Sequence, residues 1–155
     1  FDVGVELTGT FEEALAPSDI TIAATTAEQA YIPPECFKAG SVFMNVSLMD
    51  PTFEHVQLAD KIVVDDWKQC IHSDRVLARM HKQGLLTREN LHAEFGEIVN
   101  GNRAGRENDE ERIFWNPFGL AIEDLAVAMA VYRAAQSLGV GNTLELVDSE
   151  WDVLF

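Results

Sequence analysis

Short apolar runs, each too short for a helix, constrain the fold of this chain more than any other feature. Runs of this length that are rich in β-branched residues and bounded by polar residues predict strands buried on both faces. Segments with turn and helix-capping signals separate them, as in parallel βαβ units with right-handed crossovers. The sequence therefore predicts an α/β fold. The predicted strands are Ile20–Ala24, Ser41–Ser47, Asp60–Asp66 and Arg112–Asn116.

Other segments give weaker or purely helical patterns. Residues Val3–Leu7 alternate weakly and are interpreted as a short strand. Thr10, followed three residues later by Glu13, forms a capping box that starts a short helix. Thr87 is expected to start one helix that continues to Val99. A long final helix is expected from the Asn116-Pro117 pair to Gly139.

Composition excludes several classes of function. A chain of 155 residues with a net charge of −15 lacks the basic face that nucleic acids and anionic membranes require. No apolar run approaches the roughly 20 residues of a membrane span. Cys36 and Cys70 lack any metal-binding or redox spacing, which favours reduced thiols and a cytoplasmic protein. The four histidines form no ligand motif and are interpreted as surface or helix-face residues, so no metal site is expected.

Polar residues follow four of the predicted strands. In an open parallel sheet, ligands bind at the carboxyl ends of the strands, so these residues are expected to meet at one edge. They are Thr25, Thr26, Asn45, Ser47, Asp50, Asp65, Asp66 and Asn116.

Asp50 is the sharpest candidate in this set, because a carboxylate in the loop after a strand can accept a proton from a substrate amine or water. Its position before Pro51 fits equally well with a helix cap or an Asx turn. Thr25 and Thr26 are able to donate hydroxyl or backbone hydrogen bonds to a cofactor, or simply to begin a turn. The Asp65-Asp66 pair is interpreted mainly as a cap for the next segment or as a partner of a lysine.

Longer blocks resemble a known family. The stretches "SDITIAATT", "FKAGSVFMNVSLMDP", "DKIVVDD" and "GEIVNGNRAGRENDEERIFWNPFGLAIEDLAVA" look like the carboxyl-terminal half of the ornithine cyclodeaminase/mu-crystallin family. The likeness extends from about Gly4 to Gly139. Its most specific part is the last block, with the order Gly105-Arg106, Asp109–Glu111 and Glu123-Asp124.

The resemblance implies an NAD-dependent oxidoreductase, with NADP not excluded, that acts on a small amino-acid substrate as a homodimer. Residues 1–117 would be part of a Rossmann-like dinucleotide-binding domain. Residues 118–155 would be a long helix and tail that return toward a dimerisation and substrate domain. The phosphate-binding glycines and the substrate-carboxylate ligands of the family lie earlier in the chain, so a missing amino-terminal half is expected.

The resemblance also implies roles for single residues. Asp50 falls where the family has the aspartate that acts on the substrate amine and on water. Thr25, with Thr26 as a near alternative, falls at a cofactor contact, and Ser47 and Asn116 would line the nicotinamide side. Pro117 replaces a cofactor-binding serine of the family, so a contact there would come from its backbone or from Asn116.

Departures from the family pattern favour one branch. The text "NVSLMDPTFEHV" lacks the glycine-rich stretch and the lysine of cyclodeaminases proper. It looks closer to the staphyloferrin B-type N-(2-amino-2-carboxyethyl)-L-glutamate dehydrogenase branch of siderophore biosynthesis, whose reaction releases 2,3-diaminopropionate and 2-oxoglutarate. The alternatives are an ornithine or lysine cyclodeaminase, an imine reductase, an alanine dehydrogenase, a non-catalytic cofactor-binding or dimerising remnant, and a plain α/β domain with capping aspartates.

Overall fold

A computed structural model describes residues 3–144 of the chain and shows one parallel sheet with helices between its strands. The strands lie in the order β1-β2-β5-β3-β4, and every neighbouring pair is parallel. The α/β class predicted from the apolar runs is confirmed. The strands are β1 (Ile20–Ala23), β2 (Val42–Asn45), β3 (Lys61–Val64), β4 (Ala93–Glu94) and β5 (Ile113–Asn116).

Short helices connect the strands, and one long helix follows them. Thr10 caps the first helix as predicted, because its hydroxyl accepts a hydrogen bond from the Glu13 amide at 3.3 Å. Two 3₁₀ turns, Pro34–Cys36 and Arg88–Asn90, complete the connections. The helices are α1 (Phe11–Leu15), α2 (Phe53–Gln57), α3 (Trp67–Ile71), α4 (Val76–Lys82), α5 (Phe95–Val99) and α6 (Ala121–Leu138).

The structure corrects the prediction for Thr87–Val99, which is not one helix. The Asn90 side chain accepts a hydrogen bond from the Thr87 amide at 2.7 Å, and this local contact limits the first part to a 3₁₀ turn. Ala93 and Glu94 then pair with β3 as a two-residue strand, before α5 begins. Pairing with the sheet outweighs helix propensity here. The weak strand predicted at Val3–Leu7 does not form either.

Burial also differs between the edge and the centre of the sheet. Strand β1 was predicted to be buried on both faces, but Ile20 and Ile22 are 64% and 60% exposed. Because β1 lies at the edge of the sheet, it lacks cover on one side. The core instead surrounds the central strands, where Phe43 and Phe114 stack with ring centroids 5.8 Å apart.

His55 lies on a face of helix α2, as one of its two interpretations has it, but this face belongs to the core and not to the surface. It is fully buried, and its ring stacks on Phe37 at 4.6 Å between centroids. Its Nδ1 lies 3.0 Å from the carbonyl oxygen of Pro33. Burial disfavours the charged ring and lowers the pKa of His55, against a smaller opposing effect of the Pro33 hydrogen bond.

The charged loop before β5 neutralises a lysine at the amino end of β3. Lys61 Nζ donates to Gly105 O and Glu107 Oε2, both at 2.6 Å, and lies 3.0 Å from Glu111 Oε1. Burial disfavours the ammonium, but the hydrogen bonds to the two glutamates outweigh it and the pKa of Lys61 is raised. Two acids of this loop therefore neutralise Lys61 at the amino end of β3, away from the carboxyl ends of the strands.

The contacts divide the chain into two units, with the break after Gly119. Helix α6 begins at Ala121 rather than near Pro117, because Pro117–Gly119 belong to the first unit. It ends at Gly139, whose φ of 64° gives the left-handed cap predicted for it. Within the described residues, no helix has the length and apolarity needed to cross a membrane. The apolar tail at 151–155 lies outside the described residues.

We predict that His55 makes the protein less stable on mild acidification. Its folded-state pKa is lowered, so the unfolded chain binds a proton first, and the free energy of unfolding falls as pH drops below about 6.5. His55→Phe, which keeps an aromatic ring on Phe37, is expected to flatten this dependence below pH about 6.5. Urea denaturation at several pH values measures the pH dependence of the free energy of unfolding. His72→Gln, at an exposed position, is the control, and an unchanged slope for His55→Phe would contradict the assignment.

Candidate active site

The register of the sheet brings the ends of its two central strands together. Met44 of β2 pairs with Trp115 of β5, so the asparagines that follow them are neighbours. Asn45 Nδ2 donates to Asn116 Oδ1 at 2.9 Å, and Ser47 Oγ donates to Asn45 Oδ1 at 3.3 Å. All three side chains are buried. The expectation that Asn45, Ser47 and Asn116 meet at one edge therefore holds in the structure.

The loops after β1 and β2 meet at a buried carboxylate. Thr25 Oγ1 donates a short hydrogen bond to Asp50 Oδ1. The backbone carbonyl of Asp50 accepts hydrogen bonds from the amides of Tyr31 and Ile32, both at 2.9 Å. Asp50 is fully buried, and its second oxygen, Oδ2, has no hydrogen-bond partner among the described residues. One carboxylate oxygen is thus fixed and the other is left for an incoming donor.

The alternative interpretation of Asp50 as a helix cap is wrong. Helix α2 begins after Thr52, and the Thr52 hydroxyl accepts the hydrogen bond from the His55 amide at 3.2 Å. The carboxylate of Asp50 contacts Thr25 on another loop. Its local position before Pro51 therefore does not explain why an aspartate stands there.

Tyr31 lies beside this carboxylate and was not found by sequence reasoning. Burial first, and then the negative charge of Asp50, raise the pKa of the Tyr31 phenol. The residue is 37% exposed, and the edge of its ring packs on Phe11 with centroids 5.1 Å apart. No pattern in the sequence links Tyr31 to Asp50, because the contact depends on how two separate loops return to the sheet.

The other predicted residues at the strand ends, Thr26, Asp65 and Asp66, do not form hydrogen bonds with Asp50. Thr26 is exposed and its side chain makes no hydrogen bond within residues 3–144, so the structure does not bring it to Asp50. Asp66 caps α3 by accepting from the Gln69 amide at 2.7 Å, as predicted. Asp65 Oδ2 accepts hydrogen bonds from the amides of Phe118 and Gly119, both at 2.7 Å. Asp65 therefore fixes the turn that follows β5.

A cavity of about 520 Å³ opens beside these strand ends. Leu48 and Met49, which directly precede Asp50, form part of its wall, and Phe118 forms another part. Arg75, at the start of α4, also lines the cavity, and its Nη1 donates to the carbonyl oxygen of Pro117 at 3.0 Å. The Pro117 carbonyl therefore contacts an arginine that the sequence did not single out.

We predict that Thr25→Val destabilises the protein by about 1–3 kcal/mol, because it removes the hydroxyl donor from a buried carboxylate. Thr25→Ser keeps the donor and is expected to cost much less. Urea denaturation of the two variants measures the difference in the free energy of unfolding. Equal stabilities for the valine and serine variants would show that the Thr25–Asp50 hydrogen bond does not hold the loops together.

Comparison with known proteins places the chain in a family. Residues 1–139 match the family described as ornithine cyclodeaminase/mu-crystallin. The N-((2S)-2-amino-2-carboxyethyl)-L-glutamate dehydrogenase of Staphylococcus aureus is 39% identical over 135 residues, which make up 87% of this chain and 40% of that enzyme.

Solved structures show the same fold. The crystal structure of CmnK matches with a TM-score of 0.84 and 28% identity, over 94% of this chain and 44% of CmnK. An archaeal alanine dehydrogenase dimer with bound NAD matches with a TM-score of 0.74 and 31% identity, over 88% of this chain and 43% of that one. The chain thus spans less than half the length of the relatives it matches. It belongs to the ornithine cyclodeaminase/mu-crystallin family.

Proposed function

We propose that the chain is part of an NAD(P)-dependent oxidoreductase that acts on the C–N bond at the α-carbon of an amino acid, with Asp50 as its general base. The observation that carries this proposal is the Thr25–Asp50 hydrogen bond. It fixes one oxygen of a fully buried carboxylate and leaves Oδ2 without a partner among the described residues, and the two residues before Asp50 line a cavity. The relatives described above, a dehydrogenase and an NAD-binding enzyme, support it.

The residues at this edge fit the nicotinamide end of a dinucleotide. Asn116 Nδ2 is a buried donor without a partner among the described residues. A buried donor needs an acceptor, and the carboxamide oxygen of a nicotinamide is one. Thr25, Ser47, Asn116 and the backbone of Pro117 would hold that end, with Thr26 at the rim. The bound cofactor supplies a hydride acceptor or donor.

The division of the chain into two domains is the one that the family resemblance implies. Residues 1–117 would supply the carboxyl-terminal part of the dinucleotide-binding domain, and residues 118–155 a helix and tail of the dimerisation and substrate domain. The alanine dehydrogenase relative is a dimer, which supports a homodimer for the whole protein. The parts of the relatives that lie outside the match would complete the site.

The proposed reaction balances with Asp50 as the proton acceptor. A bound NAD(P)⁺ would accept the hydride, with both electrons, from the α-carbon of the amino acid. The substrate nitrogen would lose a proton to Asp50 Oδ2 as a C=N bond forms. Asp50 would then return this proton to the C=N nitrogen, and its carboxylate would accept a proton from the water that attacks the C=N carbon. Transfer of that proton to the nitrogen, with loss of the new hydroxyl proton, would break the C–N bond and release an oxo acid and an amine. Thr25 holds the carboxylate in place during these proton transfers.

For the substrate, we propose an N-(2-amino-2-carboxyethyl)-glutamate conjugate, which would yield 2,3-diaminopropionate and 2-oxoglutarate for a siderophore or related product. The 39% identity to the Staphylococcus aureus dehydrogenase supports this choice. The likeness to an alanine dehydrogenase supports a second candidate, the oxidation of a simple amino acid or the reverse reduction of an imine.

We predict that Asp50→Asn in the complete protein lowers kcat at least about a hundredfold, because asparagine does not accept the proton. Steady-state NADH formation at 340 nm with the conjugate as substrate measures the effect. Asp19→Asn is the matched control, since Asp19 is exposed and pairs only with Lys38 among the described residues. Turnover within a few-fold of the wild type for Asp50→Asn would remove Asp50 from the chemistry.

A fluorescence titration with NADH separates the enzyme from a non-catalytic remnant. We predict saturable binding by the complete protein and weak or no binding by residues 1–155 alone, because the phosphate-binding glycines of the family are expected outside them. Saturable NADH binding without turnover of any amino or imino acid would favour the remnant. Failure of the complete protein to bind NADH would contradict the cofactor assignment.

A further inference from the structure

Arg75 is fixed in the cavity by partners that do not neutralise its charge. Its Nη1 donates to the Pro117 carbonyl at 3.0 Å, and its guanidinium lies 4.8 Å from the centre of the Phe118 ring. The amide of the next residue, Val76, donates to the carbonyl of Leu48 at 3.0 Å, which ties the start of α4 to the loop after β2. A carbonyl, a ring and the backbone therefore orient the guanidinium and leave part of its donor fork free.

The other charged residues around the cavity do not supply a carboxylate to Arg75. Asp74 is held by Arg79, with Arg79 Nη2 2.9 Å from Asp74 Oδ2 and Nε 3.2 Å from Oδ1. Glu28 lines the cavity and forms no ion pair within the described part of the chain, and the same is true of Arg75. The cavity thus presents one cation and one anion without charged partners among the described residues, and Leu48 and Met49 add apolar surface to its lining.

We propose that this cavity binds a second amino-acid head group of the substrate, with its carboxylate on Arg75 and its ammonium at Glu28. The proposal rests on the proposed function, because Met49 directly precedes Asp50 and the cavity therefore adjoins the proposed site of C–N chemistry. A guanidinium with free donors matches the planar geometry of a carboxylate. A simple amino acid would leave both charges unused, so the cavity selects substrates that carry a second zwitterionic arm.

The first test measures binding without turnover. Isothermal titration of the full-length protein with L-2,3-diaminopropionate is expected to show saturable binding, and ethylenediamine, which lacks the carboxylate, is expected to bind at least about tenfold more weakly. Arg75→Gln is expected to weaken L-2,3-diaminopropionate binding by at least about tenfold and to remove the preference over ethylenediamine. Glu28→Gln is expected to weaken both ligands, because both carry an ammonium.

Two further variants keep this test falsifiable. Arg88→Gln removes a half-exposed arginine that lies 3.6 Å from Glu97, and is expected to bind like the wild type. Arg75→Lys keeps the positive charge but lacks the planar guanidinium, and is expected to keep part of the wild-type affinity for L-2,3-diaminopropionate. This variant tests the site even if Arg75→Gln folds poorly. Wild-type affinity in Arg75→Gln or Arg75→Lys, or no saturable binding by the wild type, would overturn the proposal.

The second test separates this proposal from the proposed function. With NAD⁺, kcat/KM is compared for N-(2-amino-2-carboxyethyl)-L-glutamate, which has a second head group, and for L-glutamate, which has none. Arg75→Gln is expected to lower the ratio at least about tenfold, and Arg88→Gln is expected to leave it unchanged. Binding that depends on Arg75 in a protein without any turnover would keep the site and refute the proposed function. Turnover with an unchanged ratio would refute the site alone.

Discussion

The hydrogen bond from Thr25 to Asp50 is the contact on which the arrangement of the site depends. It joins the loop after β1 to the loop after β2, and it places a carboxylate where no solvent reaches it. An ionised carboxylate in such a position is costly unless donors surround it, and the described residues supply a donor to only one of its oxygens. The proposed function assigns the missing donor to a ligand bound at the carboxyl ends of the strands.

The amino ends and the carboxyl ends of the strands carry different chemical groups. At the amino end of β3, the acids of the loop before β5 surround Lys61, so part of the chain's large negative charge is used in a structural ion pair. At the carboxyl ends, the polar groups form hydrogen bonds with one another, and Arg75 stands without a carboxylate partner among the described residues. An acidic protein can therefore present a local cation where a negatively charged substrate is expected to bind.

The sequence predicted the features that depend on local pattern. Apolar runs predicted four strands. The rule that ligands bind at the carboxyl ends of parallel strands predicted that Thr25 and Asp50 lie near each other. Features that depend on long-range contact were missed. Strand β4 is two residues long and exists only because β3 offers it backbone partners. Tyr31 and Arg75 carry no motif, and their positions depend on where separate loops return to the sheet.

A crystal structure of the complete protein with NAD⁺ and a bound amino-acid substrate tests the central claim most directly. If Asp50 is the general base, its Oδ2 lies within hydrogen-bond reach, about 3 Å, of the substrate nitrogen or of an ordered water beside the α-carbon. Thr25 is expected to keep its hydrogen bond to Oδ1. The result that would contradict it is a substrate bound away from the Thr25–Asp50 pair, with Oδ2 still without a partner.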